Sequence, residues 1–115
     1  MFTATSMEEF TDAFHVNVTA TFFTMAAFLE LLDAGNKNAM AGGYGAPING
    51  SKVPSIQSQV IFTSSVGALM RSYFTPPAYG GSKAAILHLA KQAATQLAPY
   101  GIRANALAPG CKCCL

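Results

Sequence analysis

The chain has 115 residues and a formal net charge of +2; 51% of its residues are hydrophobic and only 10% are charged. That length allows one domain, and a charged share well below the roughly one quarter usual in soluble domains describes a slab of buried sheet with its covering helices. Lys37, Lys52, Arg71, Lys83, Lys91, Arg103 and Lys112 are dispersed, so no basic stripe marks a nucleic acid or an anionic membrane as partner.

Met1 to Glu9 lacks the basic start and apolar core of a secretory signal. Ser6 with Glu9 three residues later forms a capping box and opens a helix expected over about 7–33, with Gly35 as its stop. Inside it, the stretch from Phe10 to Leu32 has the length of a membrane span, but Asp12, His15, Asn17 and Glu30 are too polar for lipid. The expectation is a buried helix of a soluble, cytoplasmic protein. Phe22, Met25, Phe28 and Leu29 make an apolar stripe, and Asn17 in such surroundings needs a hydrogen-bond partner. Residues 36–58 are rich in Gly, Asn, Ser and Pro and read as a long surface loop, unusual inside a compact domain. Gly42-Gly43-Tyr44-Gly45 within it follows a helix, not a strand, and reads as linker.

Gln59 to Thr63 is a short β-branched strand, followed by Ser64, Ser65 and Gly67 in a loop that runs to Thr75. Pro76-Pro77 leads into a second helix over about 78–98, whose Ala84, Ala85, Ala90, Ala93 and Ala94 permit close packing. A second strand, about Arg103 to Leu107, stops before Pro109-Gly110. Helix, strand, helix, strand contains one βαβ crossover with parallel strands, which places the chain in the α/β class.

Tyr79 and Lys83 stand four apart at the start of the second helix and therefore share a face. An ammonium beside a phenol favours phenolate, which suits a group that gives and takes a proton. Ser65 lies 14 residues upstream of Tyr79 at the end of the first strand. His15 and His88 sit within helices, too far apart for a helical metal pair, and read as packed or surface histidines. All three cysteines fall in the tail Cys111-Lys112-Cys113-Cys114-Leu115. No second cluster exists for a metal site, no distant cysteine for a disulfide framework, and Lys112 occupies the position a prenylation box gives to Cys. The tail reads as foreign to what precedes it, such as read-through past an exon end or a frameshift.

In order and spacing, Asn17 in Val-Asn-Val, Ser65 in Ser-Ser-Val-Gly, the Tyr79-x-x-x-Lys83 pair and Pro109-Gly110 closely resemble the short-chain dehydrogenase/reductase family, over most of the chain. The resemblance implies a piece of a doubly wound Rossmann-type parallel sheet across residues 1–110. It implies Asn17, Ser65, Tyr79 and Lys83 as catalytic group, with Tyr79, Lys83, Pro109 and Gly110 also touching an NAD or NADP cofactor. The Ser65–Tyr79 interval is one residue longer than the commonest family spacing, which the loop can absorb; Ser64 is the fallback serine. The expected activity is hydride transfer between nicotinamide and a small-molecule carbonyl or alcohol. The family's glycine-rich pyrophosphate turn and its Asn-Asn-Ala-Gly strand end do not occur in this sequence. The chain therefore reads as the middle of such an enzyme, inactive by itself. By the same resemblance the two long helices lie on one side of the sheet and build dimer interfaces. The other face of the sheet then lies bare, and an apolar-surfaced chain is expected to associate rather than stay monomeric. The alternative is a non-catalytic truncated protein that joins a full-length relative through those helices.

Overall fold

The computed structural model describes residues 4–110; the cysteine-rich tail lies outside the described residues. A helix opens the fold in three stretches, α1 (Met7–Phe14), a π-helical turn (His15–Thr19) and α2 (Ala20–Met40). Its start is the expected capping box: Ser6 Oγ accepts from the Glu9 N–H at 3.1 Å and Glu9 Oε2 accepts from the Ser6 N–H at 2.9 Å.

The end of α2 corrects the sequence reading, because the helix passes through Gly35 and stops seven residues later than the expected boundary at 33. Two causes account for this, one local and one reaching far along the chain. Gly42 takes φ +97°, and the Gly42 and Gly43 N–H groups close back onto Ala39 and Asn38 carbonyls at 3.1 and 2.9 Å, a Schellman ending that needs glycine. The buried Asn36 makes the last turns worth forming: its Nδ2 donates to the Tyr100 carbonyl at 3.1 Å and its Oδ1 accepts from the Ser58 N–H at 2.8 Å. Gly35 serves a different purpose, since a Cβ there would lie 3.0 Å from Ser58 Oγ. The loop expected over 36–58 is thus shortened at its start. It folds back on itself where Ser55 N–H bonds to the Gly45 carbonyl at 2.9 Å.

The strands β1 (Gln59–Thr63) and β2 (Arg103–Leu107) fall where the sequence places them and pair in parallel, from Gln59 with Arg103 to Thr63 with Leu107. Between them runs α3 (Pro77–Leu97), preceded by a 3-10 turn at Val66–Ala68 that the sequence reading missed. Proline at its first turn costs no hydrogen bond there. Gly101 at φ +66° lets the chain reverse from α3 into β2.

Side chains alternate across a strand, and here the alternation separates covered from bare. Phe62, Ile86, Ala90, Ala93, Leu97 and Ile102 form the core, with Met25, Leu29, Leu32, Val60, Ala104 and Ala106 packed against it. The expected stripe on the first helix therefore divides: Met25 and Leu29 face the core, whereas Phe22 and Phe28 are exposed. Ile61 and Leu107, on the opposite face of the sheet, are 51% and 56% exposed. The molecule is a flat slab of 59 × 33 × 19 Å with a radius of gyration of 17.8 Å, against about 13 Å for a compact domain of this size. By length and composition Met7–Met40 is a helix able to cross a membrane; on one side of it Met25, Leu29 and Leu32 pack against this core.

Candidate functional site

The site forms where both strands end, because the backbone pairing continues past them. Ser64 N–H bonds to the Leu107 carbonyl at 2.7 Å and Val66 N–H to the Pro109 carbonyl at 2.9 Å. Pro109-Gly110 is thereby held against Ser65-Val66, and a Cβ on Gly110 would lie 3.4 Å from Val66 Cγ1. In open α/β sheets this carboxyl end is where ligands bind.

Ser64 and Ser65 point their hydroxyls to different tasks. Ser64 is 3% exposed and donates to the Lys83 carbonyl at 2.7 Å. Ser65 is half-buried in extended backbone, and its Oγ accepts from the Gly67 N–H at 3.1 Å, capping the 3-10 turn. Its remaining lone pair and proton are not committed to any protein partner among the described residues. Gly67 is the floor between Ser65 and Tyr79: a Cβ there would lie 3.3 Å from Thr75 Cγ2, 3.4 Å from Ser65 Oγ and 3.5 Å from Tyr79 Cε1. Gly80 keeps α3 close to that floor, since a Cβ on it would lie 3.2 Å from the Gly67 carbonyl oxygen.

Tyr79 is 40% exposed, so its phenol reaches a solvent-filled space. Lys83, one turn on, places Nζ 5.9 Å from the centre of the Tyr79 ring and donates to the Thr63 carbonyl at 3.1 Å. An ammonium at that distance over a phenol ring is held by the ring's negative face. Two of its three N–H donors have no partner among the described residues.

Asn17 does not lie on a regular helix. It sits in the π-turn, where Ala20 N–H reaches back five residues to the His15 carbonyl; such turns recur at functional sites. Its Nδ2 donates to Ser82 Oγ at 3.0 Å, which is the partner the sequence demanded. Ser82 in turn donates to the Tyr79 carbonyl at 2.9 Å. The structure thus brings Asn17, Ser65, Tyr79, Lys83, Pro109 and Gly110 to one end of the sheet. Sequence reasoning passed over Ser82, Gly67 and the 3-10 turn. The signal for Ser82 was its place beside Lys83 on the buried side of the helix, at i+3 from Tyr79.

Known proteins share this sequence and this fold. A family model described as enoyl-(acyl carrier protein) reductase matches residues 1–112. The short-chain dehydrogenase/reductase SAT3 of Stachybotrys chartarum is 60% identical over 110 residues, covering 96% of this chain. A short-chain dehydrogenase of Leptospira borgpetersenii, solved with bound NAD+, superposes with TM-score 0.69 at 26% identity, over 93% of this chain and 36% of that one. ElxO with NADP bound superposes at TM-score 0.71 and 25% identity, over 96% of this chain and 36% of that one. The chain spans 41% of the length of SAT3 and 30% of that of a second curated relative. With the site residues gathered at the carboxyl ends of two parallel strands and matches of this extent, the chain belongs to the short-chain dehydrogenase/reductase family.

Proposed function

We propose that this chain carries the proton-transfer half of an NAD- or NADP-dependent oxidoreductase that acts on a small-molecule carbonyl or alcohol in the cytoplasm. The observation that carries the reading is the placement of Ser65 and Tyr79 on either side of Gly67 at the strand ends, with Lys83 beside the Tyr79 ring. In the direction of reduction, Tyr79 gives its phenolic proton to the carbonyl oxygen, and in oxidation it takes the proton from the alcohol. Lys83 sets its positive charge beside the Tyr79 ring, and Ser65 holds the substrate oxygen in place by hydrogen bond. Asn17 anchors a water behind Lys83 that refills the proton.

The residues present fit the nicotinamide end of the cofactor: the free donors of Lys83 suit ribose hydroxyls, and Pro109-Gly110 offers a backbone surface next to Ser65. The bound cofactor supplies or accepts the hydride. No pyrophosphate turn occurs within these 115 residues, so turnover belongs to a protein with a cofactor-binding half, and the segment alone is expected to be inactive.

The test is nicotinamide absorbance during turnover of the complete protein on a panel of ketones, aldehydes and alcohols. Tyr79→Phe is expected to lower kcat by about 10²- to 10⁴-fold, the usual contribution of a positioned acid or base. Wild-type turnover in Tyr79→Phe would end this reading. A second reading rests on the exposed Phe22, Phe23, Phe28 and Leu31 of α2: a non-catalytic chain that joins a full-length relative, or itself, through its helices. It predicts co-purification with that relative and no saturable effect of this chain on NADPH fluorescence.

A further inference from the structure

Ser82 is the only polar residue among the described ones that is 0% exposed. It lies between the two residues whose geometry matters most to proton transfer. Its hydroxyl accepts from Asn17 Nδ2 at 3.0 Å and donates to the Tyr79 carbonyl at 2.9 Å. The proton and one of the two lone pairs of this buried hydroxyl are thus spent on the site, one on each helix. The helices are also at close quarters beside it, since a Cβ on Gly81 would lie 3.4 Å from Phe14 Cζ. On the Asn17 side the backbone is a π-turn and not an α-turn, which changes where a side chain leaves the helix.

We propose that Ser82 is a positioning residue whose buried hydroxyl couples the side chain of Asn17 in the π-turn to the backbone of Tyr79, and so sets where the Tyr79 phenol stands. It rests on the oxidoreductase reading for its effect on turnover, but not for the coupling itself. The physical reason is that a serine hydroxyl bonded to the i−3 carbonyl fixes its own rotamer. That fixed rotamer then presents an acceptor to Asn17 at one orientation of α3 about its axis. Removing either partner frees the first turn of α3 to rotate by a small angle. The Tyr79 phenol, at the far end of its side chain, moves more than the backbone does.

The experiment combines kinetics with amide exchange in the complete protein carrying Ser82→Ala, Asn17→Ala or both. Ser82→Ala is expected to lower kcat about tenfold with the KM for cofactor unchanged, whereas Ala90→Gly, a core change two turns along the same helix, keeps the wild-type kcat. Amides of Gly80 to Lys83 are expected to exchange faster by a similar factor in both single variants. The double variant exchanges no faster than the faster single one, because both remove the same link. Additive effects in the double variant, or unchanged exchange in Asn17→Ala, would overturn the coupling. A coupled exchange pattern in a protein without nicotinamide turnover would uphold the coupling and sink the oxidoreductase reading instead.

Discussion

Gly67→Ala separates stability from chemistry at this site. The glycine lies in the 3-10 turn Val66–Ala68, with no positive φ, so alanine is conformationally permitted there. Alanine at a permitted glycine position stabilises by about 0.4–1 kcal/mol, through the entropy of the unfolded chain. The new methyl, however, lands 3.3 Å from Thr75 Cγ2, 3.4 Å from Ser65 Oγ and 3.5 Å from Tyr79 Cε1. Thr75 and Ser65 must then give by a few tenths of an ångström. Misplacement by one ångström costs about a hundredfold in rate, so a shift of about 0.3 Å corresponds to about fourfold in kcat on that same scale. The expected result is an unchanged or slightly raised unfolding midpoint together with a kcat lowered about three- to sixfold. Denaturant unfolding and steady-state kinetics on the same preparation give both numbers. A wild-type kcat, or a fall in stability parallel to that in kcat, would refute the placement of Gly67 as the floor between Ser65 and Tyr79.

Three further expectations concern the frame of the site. Asn36→Ala removes two hydrogen bonds from a 7% exposed position and strands the Ser58 N–H and the Tyr100 carbonyl; it should cost about 2–4 kcal/mol in chemical denaturation, and a loss below about 0.5 kcal/mol would contradict the tie. Ile86→Ala, at 1% exposure in the middle of the core, is expected to cost about 2–5 kcal/mol, read from the same unfolding curves. Gly101→Ala places a Cβ at φ +66° and should destabilise by about 1–2 kcal/mol while leaving kcat unchanged, because Gly101 lies at the end of the sheet away from Tyr79.

How much of this was legible beforehand divides by the range of the interactions. Both strands and the start of the first helix could be read to the residue, since the capping box of Ser6 and Glu9 and the β-branched run from Gln59 to Thr63 act through near neighbours. The end of the first helix was misread because Gly35 carries a local stop signal. Asn36 overrides it through bonds to Ser58 and Tyr100, 22 and 64 residues away. Composition contained that asparagine but not its partners.

The candidate site shows the same division. Sequence alone determined which residue types follow one another, and hence that Tyr79 and Lys83 share one helical face and that Asn17 requires a polar partner. Only the tertiary structure decided that this partner is Ser82, that Asn17 sits on a π-turn, and that of two adjacent serines Ser64 is spent on the Lys83 carbonyl while Ser65 faces the open site. Neighbouring residues on an extended chain point to opposite sides. Which side meets α3 depends on the register of Ser64 and Val66 against Leu107 and Pro109, a pairing made across some forty residues of intervening chain.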